Sequence, residues 1–239
     1  MKLLKAKLWG WPDGIFWKAT ERWTLKARKE KFHLFMDLVA PQPEESILDV
    51  GVAPYAFRGT NFLERMYPYP GQITALSNDD PKRYHDFNNL FPGVKLVFGD
   101  ARHLDYPDDY FDIVFSNAVI EHAGERKDQC RFVHELIRVA RRAFLTTPNY
   151  WFPIDFHTLI PLAHWLPPSP RRRIYRLAGM EGWADPSRLN LVSKKQFVSL
   201  FPQNAKVIIY KQKIIGLTSS LIALVEKNNG SGDCHNLSM

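Results

Sequence analysis

Cysteine is nearly absent from this chain: Cys130 and Cys234 are the two thiols among 239 residues. They sit far apart with neither zinc nor redox spacing, which argues against a disulfide framework and leaves a reducing, cytoplasmic setting as the expectation. Long apolar runs are missing too. A stretch such as "IIGLTSSLIALV" falls well short of the roughly 20 residues a bilayer crossing needs. Lysines interrupt "MKLLKAKLWGW" before the apolar part of a secretion signal can form. Asp105, Asp108, Asp109 and Asp112 cluster without calcium-loop spacing, so no metal site is expected. Glycine is thin at one telling place. "ILDVGVAP", residues 47–54, carries an apolar strand into Asp49 and a turn, yet Gly51 is its one glycine. A pyrophosphate cradle would hold more.

Charge is present and unevenly placed. The net charge is +7, within a composition 45% hydrophobic and 24% charged that suits a globular domain with a core of its own. Residues 1–31 hold nine Lys and Arg against three acids, interleaved with Trp9, Trp11, Phe16, Trp17 and Trp23. A solvated helix face is the plainest explanation. The functional expectation beside it is peripheral contact with an anionic membrane, or with a phosphate-bearing substrate. No recognition motif for nucleic acid accompanies the charge, and nucleic acid is not expected as a partner. Residues 229–239 are polar and aperiodic, which predicts a flexible tail.

Periodicity organises the rest. Phe16, Thr20, Trp23, Ala27 and Leu34 or Phe35 fall at helical spacing and predict a helix from about 15 to 40, ended by Pro41 and Pro43. Residues 1–43 thus form a basic, aromatic helical segment ahead of a domain over 44–228. In that domain "SILDVG", "QITALS", "VKLVFGD", "FDIVFSN" and "RAFLTTPN" alternate as strands with helical stretches. "QCRFVHELIRVA" places Phe132, Val133, Leu136, Ile137 and Ala140 on one face. "AKVIIYKQKIIG" and "SSLIALVEK" close the domain as an antiparallel pair. This alternation predicts a Rossmann-like α/β fold: a seven-stranded, mostly parallel sheet with helices on both faces and an antiparallel last strand. Ligands in such sheets bind beyond the strands' carboxyl ends. Residues 148–190 break the rhythm with seven prolines, Tyr150, Trp151, Trp165, Tyr175 and the run Arg171–Arg173, and read as a lid or substrate-facing insert.

The run "ILDVG…ITALSNDD…VFGDARHLDYPDDYFDIVFSNAVIEHAG…RVARRAFLTTPN" resembles the class I S-adenosylmethionine-dependent methyltransferases, in particular the type 11 group, over roughly residues 44 to 226. The resemblance implies S-adenosyl-L-methionine as cofactor. It places Asp49, Gly51, Val52 and Ala53 at the turn that meets the methionine part. Ser77, Asn78 and Asp79 fall where relatives present an acid to the ribose. Asp100 and Ala101 would meet the adenine, and Asn117 the floor beneath the sulfonium. A sulfonium cofactor has no phosphate, so one glycine can suffice. Asp112 is read as structural.

An oxygen acceptor must lose a proton. His157 in "FPIDFHTLIP" and His122 in "IEHAG" are the candidate bases, with His157 favoured because it lies in the insert; Glu121 precedes His122 and can orient or charge the site. Against each histidine stands the commoner role of packing and hydrogen bonding. The expected activity is O-methylation of a sugar or lipid-linked glycan hydroxyl. A small-molecule or RNA methyltransferase is the alternative within enzymes, and a non-catalytic methyltransferase-like binding module the alternative outside them.

Overall fold

The structure, a computed structural model, describes residues 15–55, 59–185 and 187–227. The expected tail and residues 1–14 of the basic end lie outside the described residues.

Helix α1 spans Ile15–Val39. Its end has a local cause: Ala40 takes a left-handed conformation (φ 46°), and Pro41 and Pro43 cannot continue the ladder. Strands β1 (Ile47–Val50), β2 (Ile73–Ser77), β3 (Lys95–Phe98), β4 (Phe111–Asn117) and β5 (Ala140–Pro148) follow, with β6 (Ala205–Ile214) and β7 (Leu217–Lys227) last. They form one seven-stranded sheet in the order β3-β2-β1-β4-β5-β7-β6. Pairs among β1 to β5 are parallel; β7 runs antiparallel to both β5 and β6. The expected fold is what the chain adopts.

Successive side chains of a strand face opposite ways, so the sheet builds two cores. On one face Leu48, Val50 and Val114 pack against helix α4 (Arg126–Val139), whose Phe132, Val133, Leu136 and Ile137 are buried at the predicted spacing. On the other, Ile47, Ile113 and Phe115 meet α1, α2 (Phe62–Met66) and α3 (Phe87–Leu90). There Phe35 of α1 sets its ring edge-on to Phe115 and Phe144, with centroids 5.1 and 5.5 Å apart. Burying two such rings is worth several kcal/mol, on the order of 1.5–3 each. This anchors the carboxyl half of the basic helix to the sheet.

The region 148–190 carries α5 (Pro168–Ala178) and a small core of its own, in which Ala163, Tyr175 and Ala184 are packed by Ile160, Ile174 and Trp183. It is tied back to the sheet where Asn190 N–H donates to Glu121 O (2.8 Å). The last helix, α6 (Lys194–Val198), opens with a capping box: Ser193 and Gln196 exchange side-chain and backbone hydrogen bonds. Asp112 is structural as read, accepting from Ser46 N–H and Oγ–H at 3.0 and 2.9 Å.

Candidate active site

The strand order reverses at β1, between β2 and β4, and two cavities open at the strand tips there. The first, about 490 Å³, is lined by Leu76, Asn78, Gly99, Asp100, Ala101 and Val119 among others. The second, about 350 Å³, is lined by Asp49, Val52, Ala53, Tyr55, Asn117 and His157, with Arg28 of α1 on its wall. Val50, Gly51 and His122 border both.

The one-glycine turn is held by partners far from it in sequence. Gly51 N–H donates to Leu76 O at 2.9 Å and Val52 N–H leans on the same oxygen. Asn61 clamps Ala53 at both ends, accepting from its N–H and donating to its carbonyl, each at 2.8 Å. These amide hydrogens are committed inside the protein, so the turn offers no cradle of free N–H groups to a phosphate. Gly51 itself sits at φ +98°, and a Cβ there would fall 2.2 Å from Val119 Cγ2. Only glycine lets the strand tip pass under Val119, where the two cavities adjoin. A turn without free N–H groups suits a cofactor that carries no phosphate, such as an adenosyl sulfonium.

After β2 the residues part company. Asn78 lines the first cavity. Ser77 is buried and spent in a relay: Asp79 N–H donates to Ser77 Oγ (3.2 Å), Ser77 and Tyr84 hydroxyls meet at 2.6 Å, and Tyr84 donates to Val52 O at 2.7 Å. Asp79 pairs with Arg83. Neither Ser77 nor Asp79 lines either of these two cavities; of the three, Asn78 does. Asp100 and Ala101 both reach the first cavity. The Asp100 carboxylate lies below its usual range because Arg102 donates to it, with Nη2 at 2.7 Å.

Asp49 is buried with Glu64, a residue the sequence reading passed over. Burial, followed by the nearby charge of Glu64, pushes the Asp49 carboxyl well up; burial pushes Glu64 up too. Two neighbouring carboxyls in the interior resist ionising together. A carboxyl whose folded pKa is raised adds stability below its unfolded pKa, and that stability is lost as pH rises through the raised value. The cofactor-free protein is therefore expected to lose stability from mildly acidic towards alkaline pH. Asp49→Asn should flatten that slope, read as urea midpoint against pH. An unchanged slope would remove the pair as its origin.

Asn117, in the second cavity, has its Oδ1 fixed by two donors: Lys31 Nζ at 3.0 Å and Thr146 Oγ–H at 2.8 Å. The basic end was expected to be a surface, yet Lys31 is buried at the floor of the site. Burial first, then the charge of Arg28, bring its ammonium down to about 8, against a pull upward from Glu121. A lysine whose folded pKa is lowered costs stability while charged, and the cost fades as pH climbs from about 8 to 10.5. Lys31→Met should therefore raise stability at neutral pH by on the order of 2 kcal/mol. It should also lower methyl transfer several-fold by releasing Asn117. Denaturant midpoints and turnover check both signs.

The two histidines, 35 residues apart in sequence, meet: His122 Nε2 and His157 Nε2 lie 3.0 Å apart. Each Nδ1 faces a group that can only accept, Arg188 O at 2.7 Å for His122 and Asp155 Oδ1 at 2.8 Å for His157. Both Nδ1 atoms therefore carry hydrogen, and neutral rings present bare Nε2 lone pairs to one another. Burial opposes charge on His157, but the hydrogen bond and charge of Asp155, helped by Glu121, outweigh it and raise its pKa. Asp155, fully buried, is fixed in turn by Thr158 N–H and Oγ–H. Trp183 lies beside the pair, its ring 5.2 Å from that of His157 and 6.0 Å from that of His122, which remains exposed. The sequence reading missed Asp155, although its place two residues before His157 was a signal; nothing local marked Trp183.

A seven-stranded sheet in this order, with cavities at the tips of β1 to β4, defines the class I methyltransferase fold. Among solved structures it is matched by an S-adenosylmethionine-dependent methyltransferase from Methanosarcina mazei (15% identity, TM-score 0.53, 80% of this chain and 96% of that one). It is also matched by the 1,6-didemethyltoxoflavin N1-methyltransferase of Burkholderia thailandensis with bound S-adenosylhomocysteine (12%, TM-score 0.56, 84% and 79%). A third match is the magnesium protoporphyrin IX methyltransferase of Synechocystis PCC 6803, again with S-adenosylhomocysteine (11%, TM-score 0.52, 84% and 83%). No curated protein matches the chain. Residues 58–143 match the sequence model of the family described as Methyltransferase domain. That segment lies within a class I methyltransferase fold, two of whose matching solved structures hold S-adenosylhomocysteine. Among the described residues, no helix is long and apolar enough to cross a membrane.

Proposed function

We propose that the chain methylates a hydroxyl oxygen, on a sugar or a lipid-linked glycan. One observation supports this above the rest: the His122–His157 pair, anchored by buried Asp155, opens on the same cavity as Gly51 and Asn117. A bound S-adenosylmethionine supplies an electrophilic methyl group. The chain's own part is to hold that group against Asn117 and take the acceptor's proton at Nε2 of His157. Two lone pairs held 3.0 Å apart repel, so a proton arriving between them is bound more firmly than by one ring.

The acceptor class rests on the insert. Trp151 and Trp165 stand 63% and 36% exposed with ring centroids 6.0 Å apart, an apolar shelf of the kind that sugar faces stack on. On α1, exposed Arg22, Trp23, Lys26 and Lys29 would meet the phosphate of a lipid carrier or an anionic membrane surface. The neighbours' acceptors differ from one another, so the fold itself names none.

The test is methyl release from labelled S-adenosylmethionine against nucleotide sugars, lipid-linked glycans, small phenols and RNA. Labelling of phenols or RNA alone would reject the sugar reading. Calorimetry with S-adenosylhomocysteine separates enzyme from module: no heat at millimolar ligand would mean a fold that has lost its cofactor.

A further inference from the structure

We propose that Glu121, His122 and His157 bind one divalent transition cation, of the zinc and cobalt class, on the acceptor side of the second cavity. The inference deepens the hydroxyl methyl-transfer reading and rests on it for what the cation does, though not for whether one binds.

Three candidate ligand atoms, one from each residue, lie within 4.8 Å of one another. With each Nδ1 engaged by its own acceptor, the imidazole atoms left to ligate are the two Nε2 atoms described above. Their 3.0 Å separation is close to the roughly 3.3 Å between two nitrogens on a tetrahedral zinc, each about 2.0–2.1 Å from the metal. The rings stand at 81° to each other, so their edges rather than their faces converge. The third ligand is a carboxylate with no exposure at all. Glu121 Oε2 accepts from Thr147 Oγ–H at 3.1 Å, while Oε1 has no hydrogen-bond partner. A carboxyl oxygen left without a partner in the interior is costly, and a bound cation would remove that cost.

The outer partners match those of metal-bound imidazoles. A ligating histidine donates its other N–H to a carboxylate or a backbone carbonyl, which fixes the ring and bares the ligating nitrogen. Asp155 and Arg188 O do this here, one for each ring. Two imidazoles with one carboxylate favour zinc-like ions over calcium or magnesium, which want oxygen ligands, and leave a fourth position open.

An acceptor hydroxyl fits that position. Its proton passes to water, and its oxygen bonds to the methyl carbon. The carbon–sulfur bond breaks with its electron pair on sulfur, and the cation is neither oxidised nor reduced. With the ion in place the rings are ligands. Proton transfer to His157 then describes the cation-free protein.

The experiment strips the full chain with a chelator, then titrates it with Co²⁺, followed by visible absorption, and competes with Zn²⁺. The expected result is one ion per chain with a tetrahedral-type cobalt spectrum. Asp155→Asn should weaken affinity about 10–100-fold, and His157→Gln more, with both variants still binding S-adenosylhomocysteine. No cobalt signal at millimolar metal would overturn the proposal, as would an affinity unchanged in His157→Gln. Should His157→Gln fail to melt cooperatively, Asp155→Asn decides by the same criterion. Cofactor binding without cation binding refutes this site and spares the methyltransferase reading; the converse refutes that reading and spares the site.

Discussion

His157→Ala is expected to lower turnover by about two to four orders of magnitude while S-adenosylhomocysteine affinity stays within a few-fold of wild type. The asymmetry follows from where the ring sits. His157 lines the second cavity and not the first, where Asp100 and Ala101, the residues that the resemblance assigns to the adenine, are found. Removing the ring takes away the Nε2 that faces His122 at 3.0 Å, the atom assigned to receive the acceptor's proton. The fold should survive, because Asp155 keeps both donors of Thr158. Loss of one charged hydrogen bond there costs on the order of 1.5–3 kcal/mol. Single-turnover rates and calorimetry on the same preparation check the split. Full activity in His157→Ala would end its assignment to the chemistry.

Gly51→Ala should do the opposite, removing cofactor binding first. Two penalties combine at this atom. A residue with a Cβ pays on the order of 1–2 kcal/mol for the left-handed conformation at φ +98°. The new methyl also arrives 2.2 Å from Val119 Cγ2, so the strand tip or Val119 must shift where the two cavities adjoin. We expect S-adenosylhomocysteine affinity to fall about a hundredfold or more, with a stability loss of roughly 2–3 kcal/mol. In the double variant Gly51→Ala, Val119→Ala the clash is gone and the backbone strain remains. Stability should then recover in part, a coupling that two independent sites would not display. Unchanged affinity in Gly51→Ala would mean the cofactor does not cross this point.

The fold was legible because its evidence is local. Alternation of period 2 in "ILDV" and "FDIVFSN" against period 3.6 in "QCRFVHELIRV" fixes strands and helix, and the antiparallel ending follows from the short turn between β6 and β7. The places of Asp49, Gly51, Asp100 and Asn117 were legible for the same reason, since each lies in or within two residues of the carboxyl end of a strand, and all four line the cavities there. What escaped depends on partners brought from elsewhere. Lys31 reads as one charge among nine in a basic stretch, and only packing of Phe32 and Phe35 turns it beneath Asn117. Ser77 reads as a ribose contact until Tyr84 and Val52 claim it. Glu64 lies in an ordinary-looking helix, and its meaning comes from Asp49 across the core. The pairing of His122 with His157 needs the insert to fold back over the sheet, which no spacing encodes.

The narrow passage at Gly51 and Val119 makes the two cavities separable compartments behind a common doorway. An adenosine-like fragment and a small amino-acid-like fragment should each occupy its own room without excluding the other. A tether through the doorway would then raise their joint avidity by the local concentration it enforces. Inhibitors of this chain can accordingly be assembled from halves, the first half serving any relative with the same adenosine room and the second carrying the selectivity.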